Sequence, residues 1–97
     1  MKMVRAHLIV EGVVQGVFFR ASLADVARGH NVAGWVKNNP AGTVEAILEG
    51  PEESVKKVIE WSRIGPPRAR VDEVHVKWED FKNEFDSFTA VTRWNSY

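Results

Sequence analysis

Val4-Arg5-Ala6-His7-Leu8-Ile9-Val10-Glu11-Gly12-Val13-Val14-Gln15-Gly16-Val17-Phe18-Phe19-Arg20-Ala21-Ser22-Leu23-Ala24-Asp25-Val26-Ala27 changes its hydrophobic period partway along. Val4, Ala6, Leu8 and Val10 recur at every second residue, alternating with Arg5, His7 and Ile9, which is the pattern of a half-buried strand. Beyond Arg20 the interval lengthens. Leu23, Val26 and Ala27 fall at i, i+3 and i+4 and share one helical face. The switch predicts a strand, a loop bracketed by Gly12 and Gly16 and running to Arg20, and a helix from Ala21 to His30. Gly29, His30 and Asn31 suit the end of that helix.

The pattern continues downstream. Val32 to Lys37 reads as a second strand, Asn38-Asn39-Pro40-Ala41-Gly42 as a turn, and Thr43 to Glu49 as the returning strand of a hairpin. Pro51 suits a first helical position, and Glu52 and Glu53 favour the positive end of the dipole. Val55, Val58, Ile59 and Ser62 mark the face of that second helix, which Gly65-Pro66-Pro67 stops. Val74, Val76 and Trp78 alternate in a fourth strand. Asp80 to Ser87 is polar and reads as a loop with no functional assignment. Phe88, Ala90, Thr92 and Trp94 alternate in a short fifth strand, followed by a tail from Asn95 to Tyr97. The order predicts an α+β fold of the ferredoxin-like, split βαβ kind: βαββαβ plus a C-terminal strand, an antiparallel-rich sheet with two helices on one face.

Composition narrows the function classes. A chain of 97 residues is expected to be a single domain over 1–97, and 44% hydrophobic with 27% charged residues is ordinary globular composition. Thirteen basic and thirteen acidic residues cancel, so a general nucleic-acid or anionic-membrane binder is disfavoured and any anion site is local. The absence of Cys excludes a disulfide framework, a thiolate zinc site and a catalytic thiol, and fits a reducing cytoplasm. No apolar run approaches the roughly 18 residues of a membrane span. A soluble, cytoplasmic protein is expected.

The loop from Gly12 to Arg20 has the build of an anion cradle. Gly12 and Gly16 allow positive φ, so successive N–H groups can converge on one point. The helix end behind them adds unpaired donors and partial positive charge. Arg20, where loop meets helix, brings a planar cationic fork suited to two phosphate oxygens. On the residues alone, a plain tight turn with a solvated Arg stays open. Val13, Val14, Val17, Phe18 and Phe19 make the loop apolar, and several are expected to plug the core and hold the N–H groups rigid. Asn38, at the end of the second strand, offers an acceptor and two donors that could aim a water at this loop, or it could simply open the turn. Asn39 competes for the same role but suits the turn better.

Two stretches carry a resemblance to a known family. Gly12-Val13-Val14-Gln15-Gly16-Val17-Phe18-Phe19-Arg20 is similar to the first motif of the acylphosphatases, Gly-x-Val-Gln-Gly-Val-x-Phe-Arg. Gly34 to Glu45 is similar to the second, Gly-Trp-Val-x-Asn-x-x-Asp-Gly-x-Val-Glu, with Ala41 in place of the Asp in the turn. Length and element order agree, so the resemblance covers nearly the whole chain. It implies metal-independent hydrolysis of acyl phosphates to a carboxylate and inorganic phosphate, without cofactor. It implies that Arg20 binds the phosphate and that Asn38 positions the attacking water. It also implies that the N–H groups of Gln15, Gly16, Val17, Phe18 and Phe19 form the cradle. The partner is then a small-molecule acyl phosphate, with inorganic phosphate as product and competitive inhibitor; the balanced charge and the lack of an apolar span predict no nucleic-acid or membrane partner, and the small domain size predicts a monomer. The tail after Trp94 has no functional assignment.

The surrounding residues add no obvious general base. Glu11 suits a strand end and Asp25 a solvent-facing helix position, while His7, His30 and His75 are scattered. The competing classes are a non-catalytic anion-binding or regulatory module, since this fold hosts many functions, and an RNA binder stacking bases on Trp35, Trp78 and Trp94. The balanced charge argues against the latter, and at least two of those Trp residues are expected in core or hairpin packing.

Overall fold

A computed structural model describes residues 1–92. Its elements are β1 (Met3–Val13), α1 (Phe19–Gly29), β2 (Ala33–Asn38), β3 (Val44–Pro51), α2 (Glu52–Ser62), β4 (Arg70–Glu79) and β5 (Phe88–Val91). The five strands lie in the order β4-β1-β3-β2-β5, antiparallel throughout except for the β2–β5 pair. This is the ferredoxin-like arrangement: each helix carries the chain across one intervening strand. The fifth strand ends at Val91, so Thr92, expected within it, lies beyond it; the expected continuation to Trp94 and the tail lie outside the described residues.

The core lies between the sheet and the helices. Ala6, Leu8 and Val10 of β1, Val36 of β2 and Val44, Ala46 and Leu48 of β3 meet Leu23 and Ala27 of α1 and Val55, Val58 and Ile59 of α2. The alternation along β1 is therefore a division between a covered face and an open one. Several boundaries differ from the sequence reading, two of them for a visible reason. Helix α1 begins at Phe19, before Ala21, because Phe19 is buried and anchors the first turn. Pro51 is the N-cap of α2 and the last residue of β3, held in the strand by its pairing with Met3. Trp35 packs on the open face of the hairpin opposite Ile47, with the Lys37 ammonium 5.3 Å from its ring. Trp78, on the edge strand β4, is 48% exposed.

The polar segment after β4 has a structural task. Strands β4 and β5 form opposite edges of the sheet, so the chain between them must cross it. It crosses the open face over Arg5 and Glu49, which are paired across β1 and β3 and buried. Glu49 accepts hydrogen bonds from the Lys82 N–H (2.8 Å), the Glu84 N–H (3.1 Å) and the Arg5 guanidinium (3.2 Å). Arg5 also donates to Glu79 (3.0 Å) and Glu84 (2.6 Å) and lies 5.5 Å from the centre of the Phe85 ring. Burial alone would raise the Glu49 pKa, but the hydrogen bonds from Lys82, Glu84 and Arg5 outweigh it and hold the carboxyl below its usual range.

Removing one member of a buried charge pair strands the other. Glu49→Ala is therefore expected to destabilise the fold by about 3–5 kcal/mol, measurable by denaturant unfolding. The pH dependence follows from the sign of the shift. A depressed folded-state pKa stabilises in full above the ordinary glutamate value of about 4.3, and that contribution is lost as pH falls through the folded value. The acid limb of the stability curve should be shallower in the variant; an unchanged limb would contradict this role for Glu49.

Candidate active site

Strands β1 and β2 both run antiparallel to β3, so their C-terminal ends share one end of the sheet. Val10 and Asn38 each pair with Val44. The loop leaving β1 therefore emerges beside Asn38, although the two are far apart in sequence.

The loop is built by alternate anchoring and release. Its approach carries a bulge at Glu11/Gly12, where β4 comes so close that a Cβ on Gly12 would lie 2.0 Å from the Arg70 carbonyl oxygen. Gly12 thus belongs to β1 and not to the loop proper. Val14 is buried and pins the chain. Gly16 has φ 74° with nothing near its missing Cβ, so backbone conformation, not crowding, calls for glycine there. Phe18, the N-cap of α1, is left-handed at φ 66°. That twist turns Phe18 outward and Phe19 inward, where Phe19 meets Trp61 with ring centroids 5.4 Å apart. Of the five apolar loop residues, Val14 and Phe19 plug the core, Val17 packs partly against it, and Val13 and Phe18 are exposed.

Helix α1 opens without a side-chain cap and without an acidic residue in its first turn. The Ser22 N–H donates to the Phe18 carbonyl at 3.0 Å. The N–H groups of Phe19, Arg20 and Ala21 precede that bond and have no intrahelical acceptor by helix geometry. They stand at the positive end of the helix dipole.

The hairpin is locked to the loop by Gln15. Its side-chain amide donates to the carbonyls of Asn39 (2.7 Å) and Thr43 (2.9 Å). Within the turn, the Asn39 N–H reaches the Thr43 carbonyl at 2.8 Å and the Asn39 amide reaches the Thr43 hydroxyl at 3.0 Å. Asn39 is thus a turn residue. Asn38 is different: its Oδ1 is buried and has no hydrogen-bond partner among the described residues. A buried acceptor left unsatisfied costs about 1–3 kcal/mol, so it calls for a reason.

Asn38 lines a cavity of about 250 Å³ together with Val14, Gly16, Phe18, Phe19, Arg20 and Ala21. Five of the residues singled out in the sequence thereby converge: Gly16, Phe18, Phe19, Arg20 and Asn38. Gln15 and Val17 stand outside the lining. The contribution of Gln15 through its side chain was missed in the sequence, where a lone amide among valines was the only signal. Glu11 pairs with His75 at 2.5 Å and Asp25 with Arg28 at 3.5 Å, so neither serves the cavity. Among the described residues, Glu11, Glu73 and His75 are grouped closely enough to hold a cation, but all three are exposed and lie outside the cavity.

Comparison with known proteins gives the same picture over the whole arrangement. The acylphosphatase family model matches residues 6–90, a span that includes both the loop and the hairpin. An acylphosphatase of Pyrobaculum arsenaticum is 58% identical over 92 residues, covering 94% of this chain and 97% of that one. The crystal structure of acylphosphatase from Bacillus subtilis superposes with a TM-score of 0.88 at 34% identity, covering 91% of this chain and 98% of the other. Full-length HypF, in a phosphate- and nucleotide-bound form, contains a similar unit at TM-score 0.84 and 27% identity, matching 93% of this chain but 12% of its own. With most of its length matched by the family and by a relative of the same size, this chain belongs to the acylphosphatase family.

Proposed function

We propose that the protein hydrolyses acyl phosphates by direct attack of a water on phosphorus, and that Arg20 and Asn38 carry the two halves of the task. The observation that carries this reading is that Asn38, whose buried Oδ1 has no hydrogen-bond partner among the described residues, lines the same cavity as Arg20 and the opening turn of α1. The Arg20 fork and the N–H groups of the loop and first helical turn hold the phosphoryl oxygens. These donors face the charge that spreads over the equatorial oxygens during transfer. Asn38 Oδ1 accepts a hydrogen bond from the water and aims its lone pair at phosphorus, which removes the entropy cost of bringing the two together.

As the new P–O bond forms, the bond from phosphorus to the acyl oxygen breaks and the carboxylate leaves with the electron pair. A carboxylate is a good leaving group, so it needs little assistance. Among the described residues lining the cavity, Arg20 carries the one ionisable side chain. We assign the water's proton to a non-bridging phosphate oxygen, and the products are a carboxylate and inorganic phosphate. The reading calls for no metal, and extends to inorganic phosphate as a competitive inhibitor. A cytoplasmic location is supported by the lack of Cys alone, and a monomeric state by the small size of the domain alone.

The test is the hydrolysis of benzoyl phosphate by purified protein with a chelator present. Turnover that survives chelation supports the proposal. A folded protein that binds phosphate without turnover would instead be an anion-binding module, a reading that the small share of HypF matched by this chain keeps in view. Gln15→Ala tests the lock between loop and hairpin. We expect about a tenfold to hundredfold fall in kcat with the fold retained, because small misplacements of a positioned water are costly. An unchanged kcat would remove Gln15 from the site.

A further inference from the structure

We infer that Phe18 selects the acyl half of the substrate, favouring aromatic and bulky apolar acyl phosphates over acetyl phosphate; this rests on the acyl phosphate reading of the cavity. The lining has a floor and a mouth. Val14 and Phe19 are buried and form the floor, whereas Gly16, Phe18 and Ala21 are exposed and form the mouth. The water that Asn38 is proposed to hold is assigned to the inner side of the cavity, where the Asn38 Oδ1 is buried. In-line displacement sends the leaving group out opposite the water. The acyl group therefore departs through the mouth. Of the three mouth residues, Phe18 alone has a large side chain.

Its conformation makes the assignment specific. Phe18 is 74% exposed although it lines the cavity, so its ring contributes little to the core. It is also held at φ 66°, ψ 21°, a region that residues with a Cβ rarely adopt. A glycine or asparagine would meet the backbone requirement more readily. An aromatic ring kept in a strained, solvent-facing position beside a phosphate cradle offers an apolar surface to whatever is joined to the phosphate. Aromatic rings stack edge-to-face or offset on such a surface, and an acetyl methyl covers little of it.

The experiment compares kcat/KM for benzoyl phosphate and acetyl phosphate in the natural protein, Phe18→Asn and Phe18→Tyr, with inhibition by inorganic phosphate measured alongside. Asn tolerates the left-handed backbone, so the cradle is preserved. The benzoyl-to-acetyl ratio should fall about tenfold in Phe18→Asn, the scale of discrimination by one apolar contact surface. It should be kept in Phe18→Tyr, because the ratio cancels any change in the cradle that both substrates share. An unchanged ratio in Phe18→Asn overturns the inference while leaving the hydrolytic reading intact. So does an equal loss on both substrates accompanied by weaker phosphate inhibition, which would make the ring a support for the loop. If the natural protein hydrolyses neither substrate, the acyl phosphate reading fails, and this inference fails with it.

Discussion

Arg20→Ala is expected to lower kcat/KM for benzoyl phosphate about a thousandfold and to abolish inhibition by inorganic phosphate. The loss appears in both measurements because the guanidinium holds the phosphoryl group in the ground state and answers the charge that develops during transfer. Arg20 is the second residue of α1 and lines the cavity without being part of the buried core. Ala is a strong helix former, so the variant should keep its fold, with a stability change within about 0.5 kcal/mol. Arg20→Lys refines the point: it keeps the charge but loses the planar fork, and recovers only part of the activity if two oxygens are held together. Phosphate inhibition retained in Arg20→Ala would contradict the assignment.

Asn38→Ala should separate binding from chemistry. We expect kcat to fall about a hundredfold to a thousandfold while phosphate inhibition stays close to that of the natural protein. Stability should hold or rise, since the substitution removes a buried acceptor that has no partner among the described residues. Lost activity with retained or improved Tm is the signature of a residue kept for function at the expense of the fold. Near-normal rates would remove the water-positioning role from Asn38. Asn39 is a poor replacement, because its amide is held by Thr43.

The fold was legible where side-chain periodicity and burial coincide. Val4, Ala6, Leu8 and Val10 alternate in the sequence, and all four are buried against the helices. The meeting of Asn38 with the Arg20 loop was less accessible. It depends on strand register, with Val10 and Asn38 both opposite Val44, and no local pattern states which strand lies between two others. Gln15 was read for its backbone N–H, whereas the structure uses its side chain on carbonyls 24 and 28 residues away. Arg5 and Glu49 looked like solvent-facing positions on alternating strands. They are buried because the segment after β4 must cross that face to reach the opposite edge, a consequence of topology rather than composition.

Hydrolysis of benzoyl phosphate in water enriched in the heavy oxygen isotope addresses both the activity and its route. The protein, with chelator present, should turn the substrate over rapidly and deliver the label to inorganic phosphate, because water attacks phosphorus and the acyl oxygen leaves with the carboxylate. Label in the benzoate would mean attack at carbon and would contradict a site built around the phosphoryl group, and so would a well-folded protein that shows no turnover.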